Sequence, residues 1–368
     1  MFKILFELSQ EYYLPSFMPI YKTMKQDEGF DIHFRVGPNH RRYLGIFLIK
    51  QKRKIEKKLI NRNIKITNRC QNFDAVICGT TLKNPSKYGN AILCNVDHGP
   101  GLKTLRYREF LKQKSTSYHI FVEGQYRIDK FKKYGLDKIE TIHDVGLPKL
   151  DPFFKNEYDT DKIKKKYKLN PAKKTVLYAP SYKPTSIFKI APYLPEIMNK
   201  YNLIVKLHPY SWQGKYASHK QHKIFEKLTN NHPKIKLVPP QEHNTLPFLY
   251  EADTLISDGS SVINEFLALG KCGIIFDLDY SKLKHSDGQP LLEDNTKDWL
   301  KNSFIHIHKA KNLPAAIKNA LHPSKKRLKA LEKDKNYIFS YTDGKSSQRV
   351  KNVIKKILIK KEKNENTN

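Results

Sequence analysis

Long apolar runs, cysteines and acidic residues are all scarce in this 368-residue sequence. No apolar run approaches the roughly 20 residues that a transmembrane helix needs, and the opening residues lack the apolar stretch and small-residue cleavage site of a secretory signal. The four cysteines follow no zinc or redox spacing, so we expect reduced thiols in a cytoplasmic protein. These shortages exclude a membrane span and a secreted disulfide scaffold, and an aromatic content of 11% argues against a disordered chain.

The shortage of acidic residues leaves a large positive charge: 68 Lys and Arg against 36 Asp and Glu give a net charge of +32. This charge favours nucleic acid, anionic lipid or an anionic polymer as partner, although a lysine-rich proteome would raise it without functional meaning. Basic and apolar residues recur at roughly helical spacing in segment 41–66. The segment predicts either a basic amphipathic helix on an anionic membrane or a core-facing helix with a solvated basic side. The residues assigned to the membrane surface are Lys52, Arg53, Lys57 and Lys58.

Short apolar runs alternate with longer segments of helical periodicity, which is typical of α/β architecture. The predicted strands are 2–6, 30–34, 74–78, 91–95, 119–122 and 141–145, and then 175–179, 203–207, 235–238, 254–257 and 273–277. A charged stretch between the two series indicates a domain junction. We therefore predict two doubly wound Rossmann-type domains facing a central cleft. Their expected bounds are 1–155 and 156–345, followed by a helix over 346–361 and a disordered tail over 362–368.

A histidine and a lysine follow the fourth predicted strand. His98 stands in a glycine-rich loop, and Lys103 follows in the same loop. Ligands of open α/β sheets bind beyond the carboxyl ends of the strands, and an imidazole titrates near neutrality, so His98 is a candidate for acid–base catalysis. A histidine that only stiffens the loop through a backbone hydrogen bond is the alternative.

Lysine, histidine and serine side chains lie at the ends of two strands of the second series. His208 stands at the exit of the strand predicted over 203–207, because the proline after it cannot continue the ladder. An imidazole there can donate a hydrogen bond to a phosphate oxygen. Lys206, just before it, faces either the same ligand or solvent. Ser181 and Lys183 lie in the polar loop after the first strand of this series.

A tight turn and a helix follow the fourth strand of the second series. The turn contains Asp258, Ser260 and Ser261, and the helix is predicted to begin near Ser261 and to stop at Gly270. Backbone amides at a helix start, together with two hydroxyls, suit a phosphate group, whereas simple capping by Ser260 is the structural alternative. Glu265, one turn further, can reach a ribose hydroxyl or complete a capping box.

In their order along the chain, these segments resemble the CDP-glycerol glycerophosphotransferase family, the teichoic acid primases and polymerases of bacterial cell envelopes. Residues 97–103 are similar to the family's Trp-His-Gly-Thr-Pro-Leu-Lys, and residues 146–151 to its Gly-x-Pro-Arg-x-Asp. Residues 178–183 and 206–209 resemble Tyr-Ala-Pro-Thr-Trp-Arg and Lys-x-His-Pro. Residues 257–266 resemble Thr-Asp-Tyr-Ser-Ser with its acidic–aromatic pair, and residues 343–350 the closing Asp-Gly-x-Ala-Ser-x-Arg. The resemblance covers roughly residues 92–353.

The resemblance implies a GT-B-like fold and a transferase that moves glycerol phosphate, or a related alditol phosphate, from a CDP-activated donor to a hydroxyl of a lipid-linked or polymeric acceptor. CMP would be released, in the synthesis of a cell-envelope or capsule polymer. The implied catalytic residues are His98 and His208; the implied donor-binding residues are Lys206, Ser181, Asp258, Ser260, Ser261 and Glu265, with Lys103 and Lys183 contacting phosphate or acceptor. We expect no metal or cofactor, because cations and hydroxyls can stabilise the leaving CMP. The expected location is cytoplasmic, at the inner face of the cytoplasmic membrane.

Four residues depart from the family pattern, and two other functions remain open. Asp97, Lys183 and Gly259 replace family residues, and Gly101 alters the spacing to Leu102, which leaves the donor and acceptor undetermined. Asp97 could also orient His98 or raise its pKa. A GT-B glycosyltransferase that uses a nucleotide-sugar would share the fold but release a nucleoside diphosphate. A non-catalytic binder of nucleic acid or anionic polymer would explain the charge and the tyrosines, but the sequence shows no recognition motif for it, so no nucleic acid partner is expected.

Overall fold

The computed structural model describes residues 1–37, 45–97, 99–113, 115–212, 220–279, 284–285, 287–293 and 298–367. The chain divides into two compact units. The first unit comprises Met1–Gly99, Leu105–Lys155 and Ile338–Asn368, and the second comprises Pro100–Thr104 and Asn156–Tyr337.

Two segments belong to a different unit from the one that the sequence predicted. Residues 100–104 belong to the second unit, because their backbone bonds with residues 291–293: Thr104 N donates to Leu291 O at 3.2 Å. Residues 338–345 belong to the first unit, where Ser340 N donates to Glu123 O at 3.1 Å. Neither exchange can be read from periodicity, since each depends on backbone partners that lie far away in the sequence.

The elements of both units are numbered along the chain. The strands are β1 (Phe2–Leu8), β2 (Phe30–Val36), β3 (Ala75–Cys78), β4 (Ile92–Val96), β5 (His119–Val122), β6 (Thr141–Asp144), β7 (Thr175–Tyr178), β8 (Asn202–Val205), β9 (Ile235–Leu237), β10 (Thr254–Ser257), β11 (Ile274–Phe276) and β12 (Ile305–Ile307). The helices are α1 (Leu14–Lys25), α2 (Gly45–Ile60), α3 (Leu105–Leu111), α4 (Gln125–Lys133), α5 (Asp151–Phe154), α6 (Thr160–Tyr167), α7 (Ile187–Ile190), α8 (Leu194–Lys200), α9 (Pro209–Trp212), α10 (Gln221–Asn231), α11 (Leu246–Glu251), α12 (Val262–Leu267), α13 (Leu313–Leu321), α14 (Lys325–Ile338) and α15 (Ser346–Thr367).

The first unit is built on a parallel sheet of order β2-β1-β3-β4-β5-β6. Its inner strands are continuous apolar runs because helices cover both faces. On β1, for example, Phe6 packs on the face covered by α1, α2 and α15, whereas Leu5 packs on the face covered by α3 and α4. Phe6 stacks on Phe34 of β2 with ring centroids 4.7 Å apart.

The second unit is built on a parallel sheet of order β12-β11-β10-β7-β8-β9. Strands β7 to β9 proceed towards one edge and strands β10 to β12 towards the other, so the order reverses between β7 and β10. The prediction of two doubly wound α/β domains is thus confirmed. The sequence did not indicate β12, because Ile305 and His306 are only partly buried and the run is three residues long.

The long helix α15 is fastened to the first unit by two motifs that lie far apart in the sequence. Asp151 is buried, and its two carboxylate oxygens accept hydrogen bonds from Ser346 N at 3.0 Å and Ser347 N at 2.7 Å, which satisfies amides at the start of the helix. Gly146 has a φ of +82°, and a Cβ there would also meet the Ser346 side chain. Residues 146–151 therefore bind residues 343–350 and hold the start of α15 in the first unit.

Helix α15 is longer than predicted. The prediction of a disordered tail is wrong up to residue 367, because α15 continues to Thr367.

Helix α2 packs its apolar residues inward. Ile55 and Leu59 are buried in the core of the first unit, which agrees with the core-facing alternative. No helix in the described residues is long and apolar enough to cross a membrane.

Candidate functional site

The carboxyl ends of β7 and β10 adjoin at the switch point of the second sheet, where doubly wound folds bind their ligands. Three segments lie at the carboxyl ends of this sheet: loop 179–186 after β7, residues 206–210 after β8, and residues 258–267 after β10. Segment 100–104 belongs to the same unit. The described site residues that these segments bring into one unit are Lys103, Ser181, Lys183, Lys206, His208, Asp258, Ser260, Ser261 and Glu265.

Asp258 holds the loop after β7 in place. Its side chain is fully buried; one carboxylate oxygen accepts from Ser181 N at 2.6 Å, and the other accepts from Ser186 N at 2.8 Å and Ser186 Oγ at 2.7 Å. Burial raises the pKa of Asp258 to about 6, although these hydrogen bonds and the Lys103 charge oppose the rise. At pH 7 the carboxylate is therefore mostly ionised, and it commits both oxygens to the loop.

Lys206 places a buried ammonium group beyond the end of β8. The residue is only 5% exposed, and no hydrogen bond or ion pair to its Nζ occurs among the described residues. Burial lowers the pKa of Lys206 to about 8, and the charge of Glu242 partly opposes that effect. A buried cation without a close counter-charge is costly to the fold. Lys206 is accordingly suited to an anionic ligand.

Two tyrosine rings pack against His208. The ring centroids of Tyr182 and Tyr210 lie 4.4 and 4.8 Å from that of His208. The backbone N–H of Tyr210 donates to His208 Nδ1 at 3.2 Å, so the neutral imidazole carries its hydrogen on Nε2, which makes Nε2 the donor. Lys103 Nζ lies 4.8 Å from the centre of the Tyr182 ring. Burial lowers the pKa of Lys103, while the charge of Asp258 opposes this.

Helix α12 is shorter than predicted, and its first residues are not capped by a side chain. It spans Val262–Leu267, and Ser261 stands at the N-cap position without a side-chain capping bond. Ser260 and Ser261 are both partly exposed. Glu265 is completely buried. Gly270, with a φ of +68°, ends the helical region as the sequence indicated.

His98, the candidate base, lies outside the described residues. Lys183 is exposed. Asp97, considered as a partner for His98, accepts a hydrogen bond from Arg106 Nη1 at 2.6 Å, so part of its carboxylate is already engaged. No cluster of three or more His, Cys, Asp or Glu side chains able to hold a metal ion occurs in the part of the chain that the structure describes.

Three residues of the site were not singled out from the sequence. Tyr182 and Tyr210 enclose His208, and Gln221 Nε2 donates to Tyr182 O at 3.0 Å, which secures the loop after β7 from a second side. Tyr210 is two positions after His208, and Tyr182 follows Ser181 directly. Both tyrosines could therefore have been named as site candidates from the sequence. No local signal marks Gln221, because its partner lies 39 residues away.

Comparison with known proteins gives one family across most of the chain. The family model for CDP-Glycerol:Poly(glycerophosphate) glycerophosphotransferase matches residues 3–356. Teichoic acid glycerol-phosphate primase of Bacillus spizizenii is 27% identical over 187 residues, which are 49% of this chain and 45% of the primase. Teichoic acid poly(ribitol-phosphate) polymerase of the same organism is 24% identical over 267 residues, 68% of this chain and 38% of the polymerase. The chain therefore matches less than half the length of these curated relatives.

Solved structures with the same fold include two kinds of protein. The wall teichoic acid polymerase TagF has a TM-score of 0.67 and 16% identity, over 98% of this chain and 89% of that chain. A UDP-GlcNAc 2-epimerase from Neisseria meningitidis, bound to UDP-GlcNAc, has a TM-score of 0.61 and 13% identity, over 96% of this chain and all (100%) of that one. At such identities the similarity shows the fold, and it confirms the GT-B-like prediction.

Replacing Asp258 by Asn should destabilise the second unit, because an amide offers only one acceptor oxygen and turns an N–H towards a backbone donor. We expect the free energy of unfolding to fall by about 2–4 kcal/mol. Ser186→Ala, which removes one of the three donors, is the matched control and should cost about 1 kcal/mol. Urea unfolding measures both. An Asp258→Asn protein as stable as wild type would contradict the assigned role of the carboxylate.

Lys206 should make nucleotide binding depend on pH. Because its pKa in the free protein is about 8, the cation is lost as the pH rises, and the affinity for CMP should fall about tenfold per pH unit above that value. Lys206→Arg should bind with little change between pH 7 and 9.5, since arginine stays protonated. Calorimetric titration with CMP measures the effect. A flat profile for the wild-type protein would remove Lys206 from the phosphate site.

Proposed function

Since the chain belongs to the CDP-glycerol:poly(glycerophosphate) glycerophosphotransferase family, we propose that it transfers an alditol phosphate from a CDP-activated donor to an acceptor hydroxyl and releases CMP. The acceptor is a membrane-associated or polymeric chain of the cell envelope or capsule. The observation that carries the proposal is the buried ammonium of Lys206, without a bonded partner among the described residues, two positions before His208 at the ligand-binding end of the second sheet.

The donor pyrophosphate is bound by the carboxyl ends of the second sheet. Lys206 supplies a full positive charge, and His208 Nε2 donates a hydrogen bond to a phosphate oxygen. The hydroxyls of Ser260 and Ser261, which are partly exposed, add neutral donors. Lys103 lies over the Tyr182 ring in the same unit and supplies a second cation. These groups balance the negative charge that grows on CMP as it leaves.

The transfer step is a substitution at the β-phosphorus of the donor. An acceptor hydroxyl oxygen forms the new P–O bond, and the bond between that phosphorus and the bridging oxygen of CMP breaks, so CMP departs with the electron pair. The acceptor proton passes to a general base, which we assign to His98 on the resemblance of residues 97–103 to the family's histidine segment. The products are CMP and an acceptor lengthened by one alditol phosphate, and no redox partner is consumed.

The acceptor places the protein at the inner face of the cytoplasmic membrane. Helix α2 supports this contact through charge alone, because its apolar residues Ile55 and Leu59 are buried in the core of the first unit. Arg53 and Lys57 are exposed on the other side of the helix. Lys52 and Lys58 form ion pairs with Glu56 and Glu11, respectively, so they contribute less net charge to that surface. Of the four residues predicted for the membrane surface, Arg53 and Lys57 therefore supply most of the uncompensated positive charge.

His98→Ala should abolish transfer without abolishing nucleotide binding. Loss of a general base lowers the rate of CMP release from CDP-glycerol by about 10²–10⁴-fold, whereas the CMP dissociation constant should stay within about twofold. His308→Ala is the control, since that side chain, just after β12, is 78% exposed. Retained CMP release would exclude His98 as the base, and lost CMP binding would make it a ligand of the donor.

Charge reversal at Arg53 and Lys57 should weaken binding to vesicles that contain phosphatidylglycerol. Each basic residue near an anionic surface contributes about 1 kcal/mol, so the double Glu variant should bind at least tenfold more weakly at low salt. The matched control is Lys162→Glu with Lys301→Glu, which changes the net charge equally at two exposed sites of the second unit. Equal loss in both proteins, or no loss in either, would contradict a membrane role for α2.

A further inference from the structure

Segment 100–104 is fixed at both of its ends. At the far end, Thr104 N donates to Leu291 O at 3.2 Å, and Thr104 Oγ1 donates to Pro290 O at 2.8 Å. At the near end, Asn264 Nδ2 donates to Pro100 O at 2.5 Å. The bond to Pro100 reaches across 164 positions of the sequence. It attaches the start of the segment to helix α12.

The direction of the Asn264 amide is determined by a second bond. Asn264 is 1% exposed, and Trp299 Nε1 donates to its Oδ1 at 2.8 Å. An indole nitrogen can only donate a hydrogen bond, so Oδ1 must face Trp299 and Nδ2 must face Pro100. A residue at position 264 therefore has to accept on one side and donate on the other. Among side chains of this size, asparagine meets both requirements at every pH.

Trp299 is itself held by the edge of the second sheet. Its ring is buried at 7% exposure, and its carbonyl oxygen lies 2.8 Å from His306 Nε2 on β12. The other ring nitrogen of His306 lies 2.8 Å from Asp277 Oδ1 at the end of β11. A continuous series of hydrogen bonds thus joins the strand edge to Asn264. Such a connection makes the Asn264 amide a rigid anchor.

We propose that Asn264 is a positioning residue for the transfer reaction, which it serves by fixing Pro100 and, through the segment that follows, the Lys103 ammonium over Tyr182. The inference rests on the proposed function. Asn264 does not bind a substrate atom in this role; it sets where a cation of segment 100–104 stands during transfer. Misplacement of a reacting or charge-stabilising group by about 1 Å can cost on the order of 100-fold in rate.

Two substitutions separate positioning from simple stabilisation. Asn264→Leu removes both hydrogen bonds at every pH. Asn264→Asp keeps the size: an ionised carboxylate repels the Pro100 carbonyl, whereas a protonated carboxyl can donate to Pro100 and accept from Trp299. A carboxyl buried in this place favours the protonated form at low pH. Asn352→Asp, on the exposed surface of α15, is the control for the added charge.

The measurements are kcat for CMP release and the CMP dissociation constant between pH 5.5 and 9, each as a ratio to wild type at the same pH. All other titrating groups are common to the proteins, so the ratio reports on position 264. We expect Asn264→Leu to lower kcat about tenfold or more at every pH, and Asn264→Asp to approach wild type at low pH and fall away as the pH rises. CMP affinity should fall by much less than kcat, because Lys206, His208 and the two serines keep their positions.

Three results would overturn the inference: a kcat equal to wild type in the Leu variant, a pH-independent ratio in the Asp variant, or a loss of CMP affinity as large as the loss of kcat. The last would mean that Asn264 supports the nucleotide site as a whole. If wild type releases no CMP from any CDP-alditol, the proposed function fails instead. Hydrogen exchange of a peptide covering 99–105 then still tests the anchor, since it should accelerate in Asn264→Leu while the peptide over 180–186 stays unchanged.

Discussion

The buried carboxylate of Asp258 is the constraint on which the ligand-binding end of the second sheet depends. It stands at the switch point between β7 and β10, and its three hydrogen bonds convert an irregular loop into a fixed one. Burial alone would favour the neutral carboxyl, so the backbone donors are what make the ionised form tolerable in this place. The loop in turn carries Tyr182, against which His208 and Lys103 pack.

The short segment from Asp258 to Glu265 organises much of the site. Asp258 fixes the loop after β7, Ser260 and Ser261 are partly exposed, and Asn264 fixes the start of segment 100–104. One turn and one helix of six residues therefore support two loops that approach from different parts of the sequence. Lys103 lies in one of these loops and packs on Tyr182 of the other. Lys206 is kept in a partly dehydrated state that favours a phosphate partner.

The sequence predicts the strands and the residues at their ends better than it predicts the hydrogen bonds between distant segments. Interior parallel strands such as β5 and β10 are apolar runs bounded by polar residues, so both were predicted at their observed bounds. Gln221 and Asn264 could not be found in this way, because their bonds join segments 39 and 164 residues apart. Periodicity also could not separate a lipid-facing stripe from a core-facing one in segment 41–66. Only the packing of Ile55 and Leu59 in the core decides that question for the second half of α2.

Calorimetric titration with CDP-glycerol, CDP-ribitol, CMP, UDP and a short oligonucleotide is the decisive experiment, because it shows which ligand the assembled cations and rings select. We expect the CDP-alditols and CMP to bind and one CDP-alditol to bind most tightly, which would also identify the donor. Preference for UDP would indicate a nucleotide-sugar glycosyltransferase on the same fold. Preference for the oligonucleotide would indicate a binder of anionic polymers, and either result would contradict the proposed phosphotransferase function.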